Sequence, residues 1–284
     1  MTELVKPIVF ISGVNSGIGY YLTQKLRDQY KIIGTVRNPE DKLRLISEFP
    51  DLDIILLDLA DRDSINSAIS TYLNKNPNTK IYGIINNAGY ALPGPLLDLD
   101  MDEFEHQMKV NVINQLCVVQ NLSSCLIEGK SRIINISSIS GLFASPFLGA
   151  YCTSKFAFEG MSDSLRRELS LIGIKLILIE PGPILTSIWN KNLGIAHKFQ
   201  NSRFSSYLKD ADEIIKNRIH SALPLSTLLN PVRQALENKN PKNRYLIHAK
   251  PLLAKFISHF IPSKIADYLV NKKLRSKNKN FRPV

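Results

Sequence analysis

Short apolar runs alternate with longer stretches of helical spacing from one end of the chain to the other. Runs at Ile8–Ser12, Lys31–Val36, Asp53–Leu57, Ile81–Ile85, Arg132–Ile136, Ile174–Ile179 and Arg244–Ile247 predict seven strands. Most are apolar at successive positions, as expected of strands buried on both faces. Between them, windows such as Ile18–Gln29, Arg62–Leu73, Met101–Ile127 and Thr153–Leu171 carry helical spacing. The alternation predicts βαβ units: an α/β, doubly wound, mostly parallel sheet with helices on both faces. Two stretches break the rhythm. Residues 187–228, including Trp189, Phe199, Phe204 and Tyr207, form a connection too long to be idle and read as a substrate lid. From residue 250 onward, Leu252, Leu253, Phe256, Ile257 and Phe260 recur at helical spacing before a basic end.

Composition refines this picture. The chain has 284 residues, 44% of them hydrophobic, which is enough for one large core, and we read residues 1–284 as a single domain. The net charge of +11 is concentrated late: six basic residues and no acid lie between Lys272 and Val284. With only Phe281 for base stacking, that stretch does not point to nucleic acid. Two readings stay open for the C-terminal extension: weak contact with an anionic membrane surface, or packing on the body with the tail in solvent, which we favour. No run approaches a membrane span, and the first residues lack a secretory pattern. Cys117, Cys125 and Cys152 are too few for a disulfide framework or zinc site, so a reduced, cytoplasmic setting is expected and no metal site. Cys152 reads as a packed thiol.

Candidate chemistry begins directly after the first strand, at Ser12-Gly13-Val14-Asn15-Ser16-Gly17-Ile18-Gly19. A pyrophosphate crossing a strand-to-helix turn needs bare backbone and the helix N-terminal N–H groups. Gly13 permits the turn, Gly17 the close approach, and Gly19 the seating of the helix; Asn15, Ser16 and Ile18 complete the loop. At the end of the second strand, Arg37 stands where an acid would select NAD. A guanidinium suits a 2′-phosphate, so NADP is preferred over NAD, unless Arg37 is merely solvated. Asp58, after the third strand, either accepts from an adenine amine or caps the next helix.

Further pieces are Asn86-Asn87-Ala88-Gly89, Asn111 in a helical window, Ser138 at the end of the fifth strand, and Tyr151-Cys-Thr-Ser-Lys155. Tyr151 and Lys155 are i and i+4, on one helical face. A nearby cation favours phenolate, so the tyrosine pKa is expected to fall and give a general acid/base. Ser138 can donate to a developing oxyanion.

Together these motifs resemble the short-chain dehydrogenase/reductase family, from Ile8 to about Ile247. The resemblance implies a Rossmann-type fold with a dinucleotide held by the glycine turn and by Asn87, Ala88 and Gly89. It further implies that Tyr151 exchanges the proton, Lys155 also holds the nicotinamide ribose, Ser138 orients the substrate, and Asn111 holds a water that links Lys155 to solvent. Glu180-Pro181-Gly182-Pro183-Ile184-Leu185-Thr186 resembles the family turn at the carboxamide, with Pro181, Gly182, Ile184 and Thr186 as contacts. The implied reaction is hydride transfer between NADP and a carbonyl or alcohol on a hydrophobic small molecule, with likeness to retinol and hydroxysteroid dehydrogenases. A homodimer or homotetramer through helices 101–127 and 153–171 is implied too. The rival readings are a catalytically silent NADP-binding regulator and a peripheral membrane module.

Overall fold

The computed structural model describes residues 6–188 and 192–277. Among them, β1 (Ile8–Ile11), β2 (Lys31–Val36), β3 (Asp53–Leu56), β4 (Ile81–Asn86), β5 (Arg132–Ile136), β6 (Lys175–Pro181) and β7 (Arg244–Ile247) form one sheet in the order 3-2-1-4-5-6-7. Every neighbouring pair is parallel. The seven strands expected from the apolar runs are all present, shifted by two residues at most.

Alternation along β1 shows how the layers are built. Val9 and Ile11 enter a core with Leu22 and Leu26 of α1 (Gly17–Leu26), Leu45 of α2 (Pro39–Glu48), and Val232 and Leu236 of α10 (Leu229–Glu237). Phe10 points the other way, into a core with Ile65 and Ile69 of α3 (Arg62–Lys75) and Val118 and Leu122 of α5 (Asn114–Leu122). Each fully buried side chain of this kind contributes about 1.5–3 kcal/mol relative to exposure. A third, smaller cluster joins Leu92, Leu99 and Ala150 to Ile195, Phe199 and Leu208.

That cluster fastens the stretch read as a lid. Among its described residues are three short α-helices, α7 (Ile195–Lys198), α8 (Ser205–Leu208) and α9 (Ala211–His220), and a 3-10 turn at Leu225–Leu228. Trp189 lies outside the described residues. The window 101–127 is not one continuous helix. It divides into α4 (Met101–Met108), a π-turn at Lys109–Ile113, and α5, followed by a 3-10 turn at Ser123–Cys125. The 22-residue α6 (Gly149–Ser170) follows β5. After β7 come α11 (Pro251–Phe260) and α12 (Ser263–Lys277). Among the described residues, no helix is long and apolar enough to cross a membrane.

β1 lies between β2 and β4, so the connections leaving β1 and β4 diverge there. This opens a crevice at the carboxyl ends of the strands, where open α/β sheets bind ligands.

Candidate active site

The glycine turn is held from three sides. Thr35 Oγ1 accepts from Gly13 N at 3.1 Å. Asn87 Nδ2 donates to the carbonyls of Ser12 and Gly13 at 2.9 and 3.0 Å, and Ser12 Oγ accepts from Asn87 N and Ala88 N. Gly13 has φ +71°, which a side chain rarely adopts. A Cβ at Gly19 would lie 2.1 Å from Gly13 O, so the third glycine lets the helix sit directly against the turn. At Gly17, φ is +58° and an added Cβ would meet only Thr186, at 3.6 Å. Asn15 donates to Asp41 at 3.0 Å, and its carbonyl accepts from Arg44 at 2.8 Å, so α2 braces the loop. Ser16 precedes α1 with no side-chain cap, and no acid occupies the first turn of that helix.

A cavity of ≈ 240 Å³ lies along this turn. Asn15 to Ile18, Asn87 to Tyr90, Ser137, Tyr151, Lys155 and Thr186 to Ile188 line it, with Gly13 and Ile136. Ser137 Oγ is buried there with no hydrogen-bond partner among the described residues. Bare glycine backbone, an uncapped helix start and an unmatched hydroxyl on one wall fit an anionic, hydroxyl-bearing ligand such as a dinucleotide.

Tyr151 and Lys155 start α6 and face this cavity together, as i,i+4 spacing dictates. Lys155 is buried, and its Nζ donates to Ile136 O at 2.9 Å while lying 5.8 Å from the Tyr151 ring centre. Burial pushes the lysine down to about 8, opposed by Glu159 one turn further along α6. The expectation that the ammonium pulls the phenol down is not met in this structure. Burial pushes Tyr151 up to about 12, and its hydrogen bond with Ser138 offsets only part of that. One N–H of the ammonium goes to Ile136 O. Ser138 itself accepts from Ser140 N at 3.1 Å and stands 3.4 Å from Pro181 O.

Asn111 is buried inside the π-turn, a distortion often found at functional sites. Its Nδ2 donates to Tyr90 O at 2.8 Å and Ser154 Oγ at 3.0 Å, and its Oδ1 accepts from Tyr90 N. The amide therefore brackets the segment after β4 to α6, and a water contact would fall to its remaining lone pair or to backbone. Gly89 approaches closely here: a Cβ would lie 3.0 Å from Asn111 Oδ1.

The other expected positions divide. Arg37 is exposed at the end of β2, with no ion-pair partner among the described residues. Asp58 does not cap the next helix: Asp61 does, accepting from Asp63 N at 2.9 Å, while Asp58 Oδ1 accepts from Ala60 N. Of the turn after β6, Thr186 lines the cavity. Gly182 spends its N–H on Ile247 O, Pro181 ends β6 facing Ser138, and Ile184 is buried and bridged to Leu223. Cys152 is buried. Sequence reasoning passed over Ser137, Tyr90, Ser187 and Ile188. Ser137 adjoins Ser138 at the strand end and was the one most open to detection.

The family model described as short chain dehydrogenase matches residues 7–194. An NADPH-dependent 3-dehydrocapnine reductase of Ornithobacterium rhinotracheale is 30% identical over 272 residues, covering 93% of this chain and 96% of that protein. Retinol dehydrogenase 16 of Mus musculus is 28% identical, covering 95% and 89%. Among solved structures, a short-chain dehydrogenase from Streptomyces avermitilis superposes with TM-score 0.74 at 20% identity, covering 98% of this chain and all of that one. One from Burkholderia cenocepacia, in complex with NADP, superposes with TM-score 0.70, covering 93% and 97% at 20% identity. With a match spanning most of the fold and a relative aligned along nearly its whole length, the chain belongs to the short-chain dehydrogenase family of oxidoreductases, which act on CH–OH and carbonyl groups.

Proposed function

We propose that the protein is an NADP-dependent oxidoreductase that interconverts a carbonyl and an alcohol on a hydrophobic small molecule. The observation that carries this reading is that Tyr151, Lys155 and the glycine turn line one cavity, with Ser138 hydrogen-bonded to the same tyrosine. A nicotinamide bound in that cavity would supply or accept the hydride. Tyr151, neutral at pH 7, is set to give its proton to a carbonyl oxygen as negative charge develops there. Ser138 donates a second hydrogen bond to that oxygen and fixes its approach. Lys155, charged below about 8, makes the neighbourhood more favourable to a phenolate once the proton has left. Asn87 and Asn111 position the walls rather than react.

Arg37 supports the choice of NADP: it is exposed at the carboxyl end of β2, the side on which the adenosine ribose would lie. The 30%-identical relative from Ornithobacterium rhinotracheale is an NADPH-dependent reductase, which agrees with it. A cytoplasmic setting and a homo-oligomer through residues 101–127 and 153–171 complete the reading; Ile113 in the π-turn and Phe156 on α6 are exposed there. The deciding experiment is Tyr151→Phe. NADPH oxidation with a model carbonyl should fall by about a hundredfold or more, while binding of NADPH is retained. Undiminished turnover would remove Tyr151 as the proton donor, and an unmodified protein that binds NADPH without turnover would be a silent binder.

A further inference from the structure

The favoured reading of the sequence packs the apolar residues of this segment onto the body; four of those it names on α11 face solvent instead, and Ile257 lies outside the residues whose side chains are described. On α11, Leu252, Leu253, Phe256 and Phe260 are 85, 51, 55 and 69% exposed. At 100° per residue they fall within one arc of about 100°. Ala254, on the opposite side, is the buried one among the described residues of the helix, and α11 rests on β7. The rings of Phe256 and Phe260 stack at 5.6 Å. On α12, Ile265, Tyr268 and Leu269 are 51, 63 and 51% exposed and share a stripe with Lys272, whose Nζ lies 5.9 Å from the Tyr268 ring centre.

The other side of α12 faces inward. Val270 and Leu274, with Lys273 at the rim, line a cavity of ≈ 510 Å³ whose remaining wall includes Phe143, Phe147, Leu208 and Ile215. That volume lies in the range of about 300–1,000 Å³ usual for small-molecule sites. Pro93 and Ile195 are shared with a second cavity, which in turn shares Tyr90 and Ile188 with the one along the glycine turn. The helix therefore carries two apolar faces, one outward and one onto the first of three neighbouring cavities that share walls in succession as far as the one holding Tyr151.

Charge selects what meets the outer face. Between Lys250 and Lys277 the sequence has seven Lys or Arg residues and one acid, Asp267. Lys250, Lys264, Lys272, Lys273 and Arg275 are exposed around the apolar stripes. A second copy would bring the same positive set against itself, which opposes association. An anionic bilayer offers hydrocarbon for the stripes and negative headgroups for their rim.

We propose that α11 and α12 seat the protein on an anionic lipid surface, and that the cavity behind α12 takes from it a carbonyl or alcohol borne on a long apolar chain. The second half of this statement rests on the oxidoreductase reading of the site. The route is short: a molecule leaving the bilayer passes the rim at Lys273, enters beside Val270 and Leu274, and carries its polar end toward Tyr151.

The test uses the full chain and two kinds of vesicle, phosphatidylcholine alone and phosphatidylcholine with phosphatidylglycerol. The protein should co-sediment with the anionic vesicles, less so at high salt. The triple variant Phe256→Glu/Phe260→Glu/Leu269→Glu, altered only at exposed positions, should bind them at least about tenfold more weakly. Reduction of a short, water-soluble ketone should be the same in both proteins, whereas reduction of a long-chain ketone carried in anionic vesicles should fall in the variant. No binding by the parent, or equal binding by the variant, overturns the surface assignment. A parent dimer that the triple variant dissociates, without vesicle binding, overturns it in favour of self-association. Undiminished reduction of the vesicle-borne ketone by the variant overturns the uptake route. A parent that binds vesicles yet reduces neither ketone leaves the lipid surface standing and overturns the oxidoreductase reading instead.

Discussion

Arg244 on β7 places Nη1 2.6 Å from Oε1 of Glu180 on β6. The same guanidinium reaches Asp163 at 2.8 Å and pairs with Glu159, one helical turn beyond Lys155. One cation thus serves three carboxylates, two of them on buried residues, and joins the last strand to the helix that carries the candidate catalytic pair.

Arg244→Met should therefore destabilise the protein by about 3–5 kcal/mol, because Glu159 and Glu180 would remain buried without this guanidinium. Denaturant unfolding at pH 7 measures this. A change below about 1 kcal/mol would show that the cluster opens to water when the guanidinium is lost.

Lys155 makes stability depend on pH in a particular direction. Its ordinary value is 10.5, and burial brings it down to about 8, so between those values the unfolded chain holds more protons than the folded one. Stability from this group is complete above 10.5 and is lost as pH falls through 8. From pH 7 to 10.5 the unfolding free energy of the parent should therefore rise relative to that of Lys155→Met by on the order of 3 kcal/mol. A difference independent of pH would mean that the ammonium titrates at its ordinary value.

The two inner glycines should respond differently to alanine. At Gly19 the new methyl would collide with Gly13 O and Asn87 Nδ2, which are backbone and a bonded side chain. Gly19→Ala should lower stability by about 1–3 kcal/mol and abolish dinucleotide binding together. At Gly17 the methyl meets only Thr186 at 3.6 Å, so the cost to the fold is about 1 kcal/mol from the positive φ, while nucleotide affinity drops. Thermal unfolding with and without NADPH separates the two effects.

Arg37→Asp should raise the NADH to NADPH ratio of kcat/KM by about 10–100-fold, the worth of a charge-assisted hydrogen bond removed and a repulsion added. An unchanged ratio would take Arg37 out of the 2′-phosphate site.

The strands were readable because burial on both faces leaves uninterrupted apolar runs, and Ile133 and Ile134 on β5 are both fully buried. Helix α2 was harder to read, since only Leu45 of its ten residues is buried. The π-turn at Lys109–Ile113 is a single turn with helix on both sides and no Gly or Pro to mark it, so the window looked continuous. The short helices of the lid draw their stability from Leu92, Leu99 and Ala150, far away in sequence. Tyr151, Lys155 and the glycine turn stood out only in combination with one another and with Asn111 and Ser138, since each motif alone is weak. The direction of the Tyr151 shift depended on how much protein encloses the ring, which spacing does not encode. The fate of Leu252 and Phe260 likewise depended on whether a partner surface existed within the chain.

The order of the sheet has a consequence for how the chain is made. β1 lies between β2 and β4, so after β2 and β3 have joined it one long flank of β1 still waits for residues 81–86. During synthesis, that flank is an open, strongly apolar edge, the kind that recruits strands from neighbouring nascent chains. A ribosomal pause or truncation before β4 would leave this edge bare, whereas once β4 has docked the exposure ends.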